Sequence, residues 1–446
     1  MRRSTVLSLP VPLSWLRFKR LNRSTTSSRL PNNITNNRST WMTLESRQVS
    51  SFRQFSSSSI NGPHPMVPEA EKHTRKLDGK PWKDAASLIL VAPNGEDETK
   101  TDFLVMKRSK GSTFAPNTLC FPGGVISPAD CDRKWINWFL VGTGSHLSEV
   151  EFLNPTAPQL NLYDKKPITE FKNPEDLVKW YRERVPLPVA LRIAAIRETF
   201  EECGILIARP NIAKEARKFV GRKGELGQGY LAGSHVFQDP DQLEEWQRRV
   251  RQDPMEFLTL CKELLIRPDL NALVEWSNWL TPNSFGYKRF DTIFYMVAVS
   301  QTLPFLNDEY EVATVRWTSA DKVLQGANDG KARLIPPQIY ELTRLRNTSV
   351  QRIQQLMRMR LNMGIERWCP CYIKVNDGII SVFPGDDLYP EDYKIEEFEE
   401  IRELNDKTLQ QVRTCTKKHH RIEFKSAYEF ELVVNVAPRL GQIYVG

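Results

Sequence analysis

Three glutamates fall within five positions in the stretch Arg197-Glu198-Thr199-Phe200-Glu201-Glu202-Cys203-Gly204-Ile205. At 3.6 residues per helical turn, Glu198 and Glu202 are i, i+4 neighbours and Glu201 lies within a turn of Glu198, so all three carboxylates project from one side. Like charges at that spacing repel by a few tenths of a kcal/mol per pair, so a fold gains nothing from them unaided. A hard divalent cation removes the repulsion and uses the oxygens directly. Mg²⁺ or Mn²⁺ takes an octahedral oxygen shell, keeps several waters and is held by one or two carboxylates plus substrate phosphates. An isolated Glu-Glu pair reads as a solvated helix face. An Arg, three Glu and a Gly at fixed spacing, with Phe121-Pro122-Gly123-Gly124 upstream, read as a metal site.

The element that must hold these acids is a helix expected from about Ala190 to Cys203. Ile193, Ile196, Phe200 and Cys203 form its apolar stripe and Gly204 its stop. Strands are expected at Ser87–Ala92 and Asp102–Lys107, joined by a polar turn at Pro93-Asn94-Gly95-Glu96, with a sharp loop at Phe121-Pro122-Gly123-Gly124. Residues 240–266 read as helical with a break near Pro254, Phe290–Val299 as a long buried strand and Thr314–Trp317 as a short one. A helix starts near Ser319, and two more follow Pro336-Pro337.

The chain has 446 residues, enough for two to three domains, with 62 Lys+Arg, 54 Asp+Glu and a net charge of +8. No apolar run approaches the ~20 residues that span a bilayer. Seven cysteines lie scattered without framework spacing, which suits a reducing compartment. The charge is not spread evenly. Residues 1–60 hold ten basic residues, one acid (Glu45) and twenty Ser and Thr, leaving +9 there and −1 on the remainder. An Arg-rich, Ser-rich, acid-poor leader reads as a mitochondrial transit peptide, with Arg53-Gln54-Phe55-Ser56 as a processing site; the other reading is a disordered basic tail. With the charge confined to the leader, the suggestion of a nucleic-acid partner disappears. The expected organisation is a leader at 1–60, a linker at 61–82, a catalytic domain at 83–333 and an extension at 334–446 packed on it.

Arg-Glu-x-x-Glu-Glu-x-Gly followed by an aliphatic residue resembles the second half of the Nudix box, and Gly124 with Asp130 resembles its first half. From Gly124 to Ile205 the box runs 82 residues, with an insertion at 131–189. An insertion placed there is similar to the acyl-coenzyme A diphosphatase branch of the Nudix hydrolases, "nudix motif nineteen". Val105-Met106-Lys107-Arg108-Ser109, Trp279-Leu280-Thr281-Pro282, Arg289-Phe290-Asp291-Thr292, Pro336-Pro337-Gln338 and Phe383-Pro384-Gly385-Asp386-Asp387-Leu388-Tyr389 extend the likeness over roughly residues 82–425.

The resemblance implies an α+β Nudix fold, a mixed sheet sandwiched between helices, with the insertion inside the box, a helical insert at 208–282 and a C-terminal α/β extension. It implies hydrolysis of the diphosphate of coenzyme A or acyl-coenzyme A to 3′,5′-ADP and (acyl-)4′-phosphopantetheine, with Mg²⁺ or Mn²⁺. Glu201 and Glu202 would be the main metal ligands, Glu198 a further ligand or the general base, and the backbone near Gly123 or Gly124 would complete the shell. Arg197 would orient carboxylates, while Gly123, Gly124, Asp130 and Gly204 shape the motif. Lys107, Arg108 and Arg289 are the candidate partners of the coenzyme A 3′-phosphate, and the insert is a candidate lid over the sheet or a scaffold.

Asp130 stands where the box usually has Glu, and Thr113 and Asn117 stand where the general coenzyme A signature has Arg and Gly. The chain ends Tyr444-Val445-Gly446 rather than in a peroxisomal Ser-Lys-Leu tripeptide. Glu309 and Glu311 are candidate loop acids near the metals, and Cys369-Pro370-Cys371 with His419-His420 lacks zinc-finger spacing. The partner expected is a small molecule, with no nucleic acid and no membrane span; oligomeric state is left open. Competing readings are a Nudix hydrolase of ADP-ribose or NADH and a non-catalytic Nudix-fold module. A fluorescent protein fused behind residues 1–60 is expected to accumulate in mitochondria, and a cytosolic distribution would refute the leader assignment.

Overall fold

The computed structural model describes residues 82–109, 115–143, 185–211, 231–282, 289–306, 312–361, 363–390 and 402–437. The leader, the linker before Trp82, residues 144–184 of the box insertion, Thr113, Glu309 and Glu311 lie outside them. The first strands are β1 (Lys83–Pro93), β2 (Thr101–Arg108), β3 (Leu119–Cys120) and β4 (Gly123–Val125). Helix α1 (Lys134–Thr143) opens the insertion. Helix α2 (Leu187–Cys203) holds the three glutamates. It starts three residues before the expected Ala190, because Pro188 sits in its first turn, where the missing N–H costs nothing.

The insert after α2 contains β5 (Ala208–Pro210), α3 (Pro240–Gln252), α4 (Glu256–Glu263) and β6 (Ile266–Pro268). It is not helical to residue 282, as the sequence suggested: Val274–Leu280 is β7, a strand of the main sheet with every residue buried. Its apolar–polar alternation, Val274-Glu275-Trp276-Ser277, is short and breaks at Asn278, beside a register shift between Glu275 and Ser277. The main sheet is completed by β8 (Phe290–Ala298) and β9 (Val312–Ser319). Next come α5 (Ala320–Asn328), α6 (Pro336–Leu345) and α7 (Val350–Arg360).

β1 is the axis of the main sheet. It pairs parallel with β8 along nine positions, and β8 pairs antiparallel with β7. On its other edge β1 meets β2 only at Val91–Pro93. Lower down the sheet forks: β1 pairs β4 through Ala85–Ser87, while β2 pairs β3 through Met106 and Lys107. The Phe121-Pro122 turn fills the fork, with the Pro122 carbonyl accepting from Leu88 N–H (2.8 Å) and Ser87 Oγ (3.0 Å). Strand alternation divides the core. Leu88, Leu90, Leu104 and Met106 pack beneath α2. Ile89, Val91, Phe103 and Val105 pack beneath α5, α6 and α7. Helices therefore cover both faces of a mixed sheet.

A second sheet follows β10 (Arg367–Trp368), which still pairs β7. Its strands are β11 (Cys371–Val375), β12 (Gly378–Val382), β13 (Arg402–Leu404), β14 (His420–Phe424) and β15 (Phe430–Val434), in the order β13-β11-β12-β14-β15, with helix α8 (Leu409–Cys415) against them. Since α6 and α7 cover the main sheet, the boundary expected at 333 does not separate two cores. The junction between sheets is aromatic: Trp279, Tyr340, Trp368 and Phe383 meet with ring centroids 5.1–5.9 Å apart.

The Phe383–Tyr389 motif is the fastening of this junction. Asp386 accepts both guanidinium arms of fully buried Arg421 (2.6 and 2.7 Å) and the backbone N–H groups of His420 and Leu388. Cys369 and Cys371 are buried beside it. The His420 ring bonds Tyr340 Oη (3.0 Å) and the Pro384 carbonyl (2.7 Å), so it is a core group and not a zinc ligand.

Burial holds the His420 pKa below its ordinary 6.5, against the Pro384 carbonyl and Asp386, which favour the proton. As pH falls, the unfolded chain takes up this proton first. The stabilisation is therefore complete above pH 6.5 and lost as pH drops through the lower folded value. The thermal midpoint should fall more steeply below pH 6.5 for the wild type than for His420→Gln; parallel curves would refute the contribution.

Candidate active site

Helix α2 is held to the sheet at its start by a buried ion pair. Arg192 Nη2 lies 2.9 Å from Glu275 Oε1 of β7, Nη1 donates to the Pro188 carbonyl, and the guanidinium stands 4.9 Å from the Tyr295 ring centroid. At its end Gly204 adopts φ +69° and returns its N–H to the Phe200 carbonyl (2.8 Å), the left-handed stop the sequence implied. Between these ends α2 docks against β1 and β4, which brings the glutamates to the glycine turn.

Arg197 organises the site. Its side chain is 2% exposed and reaches four acceptors. Nε and Nη2 each lie 2.9 Å from one oxygen of Asp130, and Nη1 donates to Glu198 Oε1 (2.9 Å) and Glu201 Oε1 (2.6 Å). Nη2 also reaches the Val125 carbonyl at 3.3 Å. The short Asp130 side chain reaches this partner because it closes a capped 3-10 turn, Pro128–Cys131. There Asp130 Oδ2 also accepts the Ser127 N–H (2.8 Å), while Ser127 Oγ accepts from Ala129.

Glu202 points the other way along the same face and accepts the Gly123 N–H at 2.8 Å. The two glycines serve different needs. Gly123 has φ +149°, and a Cβ there would lie 2.3 Å from the Ala86 carbonyl oxygen. At Gly124 a Cβ would overlap the Glu198 carboxylate, so the carboxylate rests directly on the turn. Asn117, where the coenzyme A signature has Gly, keeps a left-handed φ of +59°, which Asn tolerates.

The electrostatics are unbalanced. Arg197 is held protonated by its carboxylates, yet Glu201 is still pushed up to about 7, chiefly by burial and then by the charge of Glu198, against the pull of Arg197. The donor set is entirely hard oxygen and carries more negative charge than one guanidinium offsets, which fits Mg²⁺ or Mn²⁺. Among the described residues no three His, Cys, Asp or Glu side chains are gathered as a cage. Arg197 stands between Glu198 and Glu201, and Glu202 is turned to Gly123. Mg²⁺ does not require a cage, since one or two carboxylates with waters and substrate oxygens suffice.

The three basic candidates are not brought together. Arg108 continues the face of Leu104 and Met106 and interacts with the Cys120 thiol, which also feels Glu202; it belongs to the glutamate side of the sheet. Lys107 shares its register position with Leu119 and belongs to the opposite face. Arg289 is buried at the start of β1, where its carbonyl accepts the Lys83 N–H, with its Nε on the Thr281 carbonyl (2.8 Å) and its guanidinium 5.3 Å from the Trp82 ring centroid. Lys107 stands opposite Leu119 while Arg108, past the register shift between them, reaches Cys120, and Arg289 is engaged with Thr281 and Trp82.

Sequence reasoning missed Gln247 and Arg251 of α3. Gln247 Nε2 donates to the carbonyls of Phe200 (3.1 Å) and Glu201 (3.2 Å), and Arg251 Nη2 donates to that of Glu201 (3.2 Å). The signal available was negative: the last turn of α2 holds two Glu and no Lys or Arg, so its terminal carbonyls needed partners from elsewhere.

A forked mixed sheet, a glycine turn and an Arg-organised glutamate helix define a Nudix hydrolase. More narrowly, the chain belongs to the NUDT19 family: residues 82–345 match the NUDT19 Nudix domain and 373–435 the NUDT19 C-terminal domain. Acyl-coenzyme A diphosphatase NUDT19 of Gallus gallus is 34% identical over 372 residues, 80% of this chain and 92% of the relative. The Homo sapiens protein of that name is 31% identical, covering 81% and 94%. Among solved structures, a NUDIX hydrolase from Alicyclobacillus acidocaldarius aligns with a TM-score of 0.42 at 19% identity, covering 63% of this chain and 97% of that one.

Removing one partner of a buried ion pair leaves the other charge uncompensated. Asp130→Asn should therefore lower the unfolding free energy by about 3 kcal/mol. Urea unfolding checks this, and a change within error would refute the central place of the Asp130–Arg197 pair.

Proposed function

We propose that the chain hydrolyses the diphosphate of coenzyme A and acyl-coenzyme A to 3′,5′-ADP and (acyl-)4′-phosphopantetheine, using Mg²⁺ or Mn²⁺, in the mitochondrial matrix. The observation that carries the reading is the carboxylate set Glu198, Glu201 and Glu202, fixed by Arg197 and the Gly123–Gly124 turn, in a chain whose relatives are named acyl-coenzyme A diphosphatases. The Arg-rich leader supports the compartment.

A diphosphate resists attack by water because it is negatively charged. A divalent cation held at this site supplies neutralisation of that charge and a lowered pKa for water. Glu201 and Glu202 would hold it with the Gly124 backbone beside them. Glu198, the more exposed of the two glutamates on Arg197 and seated on the glycine turn, is placed to orient water or take its proton. Arg197 is too buried to meet substrate, so its work is to fix Glu198 and Glu201. Arg108, on the same side of the sheet, is the cation best placed for a phosphate.

With Mg²⁺ or Mn²⁺ added, the products formed from coenzyme A, acyl-coenzyme A, ADP-ribose and NADH can be identified by mass spectrometry. Release of 3′,5′-ADP from the coenzyme A substrates is expected. Glu202→Gln should reduce it about 100-fold or more with the circular dichroism spectrum retained. Full activity in that variant would sink the site assignment. Cleavage of ADP-ribose or NADH alone would transfer the reading to those substrates, and cleavage of nothing would favour a binding module.

A further inference from the structure

Helix α2 ends badly by its own means. Glu201 and Glu202 lie at the end where the helix dipole is negative, and no Lys or Arg occupies its last turn. The chain then breaks at Gly204, whose N–H takes the Phe200 carbonyl (2.8 Å), while the Leu306 N–H takes that of Cys203 (3.0 Å). The carbonyl between them, that of Glu201, is met by helix α3 from 46 and 50 residues away. Gln247, 4% exposed, spans the carbonyls of Phe200 and Glu201, and Arg251 adds a cation on the Glu201 carbonyl. Phe200 and Cys203 anchor the apolar side of this turn in the core. Beside the contact lies a cavity of about 140 Å³ lined by Gly204, Phe237, Leu243, Leu303 and Phe305, so the polar bonds add to packing in setting the last turn.

From this geometry we infer that Gln247 and Arg251 are positioning residues for the proposed reaction: the insert fixes, through the backbone of Glu201, where the Glu201 and Glu202 carboxylates stand. The inference rests on the proposed function and gives the insert a role other than scaffold. Neither side chain touches substrate. Their effect is on the helix turn that holds the acids, where a displacement well under 1 Å matters to catalysis and to cation binding.

The test compares full-length Gln247→Leu, Arg251→Ala and Arg251→Lys with the wild type. Mn²⁺ binding is read from the paramagnetic resonance of the free ion, and steady-state turnover of coenzyme A alongside it. Gln247→Leu and Arg251→Ala should each weaken Mn²⁺ binding severalfold and lower kcat about tenfold with KM for coenzyme A unchanged. Arg251→Lys should restore most of both, because an ammonium still reaches a carbonyl. Arg248→Ala, on the same helix with its side chain paired to Glu245 at the surface, should leave both unchanged. Wild-type Mn²⁺ binding and kcat in folded Gln247→Leu and Arg251→Ala would overturn the inference while leaving the functional reading intact. So would a lowered thermal midpoint with both constants unmoved. A wild type that binds no Mn²⁺ and cleaves nothing would overturn the functional reading and this inference with it.

Discussion

The Arg197 guanidinium is the interaction on which the site depends. It is almost completely buried and shared among Asp130, Glu198 and Glu201, so it draws together a 3-10 turn after the glycine loop and the last turns of α2. A buried cation cannot be left partly paired without a cost of several kcal/mol, which makes its geometry nearly obligatory. The carboxylates inherit that rigidity. Asp130 takes two of the Arg197 N–H groups, and the pull of Arg197 does not outweigh burial and the charge of Glu198, which together raise the Glu201 pKa. One group thus preorganises the acids and leaves room for further positive charge.

The sheet serves that arrangement by forking. If β1 and β2 stayed paired along their length, no turn would enter between them. Because they part below Val91, the Phe121–Gly124 segment lies in the sheet with its backbone facing α2. Gly123 is required by its positive φ against the β1 backbone, and Gly124 lets the Glu198 carboxylate rest on the turn. The second face of the sheet, closed by α5 to α7 and by the aromatic junction with the C-terminal sheet, leaves the first face to chemistry.

The long interruption of the box is tolerated because its two halves are joined in space and not by sequence. Asp130 and Arg197 are 67 residues apart in the chain yet pair directly. The described part of the second insert is not idle against this frame. Its helix α3 donates to the carbonyls of Phe200 and Glu201 at the end of α2, where a helix carrying two terminal acids gains from donors.

How much was legible in advance follows from the range of the forces involved. The glutamate face, the Gly204 stop, the glycine turn and most strands depend on neighbours within a few residues, and periodicity exposed them. The strand Val274–Leu280 was hidden inside an expected helical insert because its alternation runs only four residues before a register shift and Asn278 break it. The three basic candidates looked equivalent as charges, yet their positions are set by strand parity and register, which long-range pairing decides. The partners of the α2 carbonyls were unreadable for the same reason. By itself the sequence determined the chemistry available, a set of hard oxygen donors on one helix face beside a flexible turn. Only the tertiary structure decided which groups meet, because a guanidinium 67 residues from its carboxylate finds it through the fork of a sheet and not through any local preference.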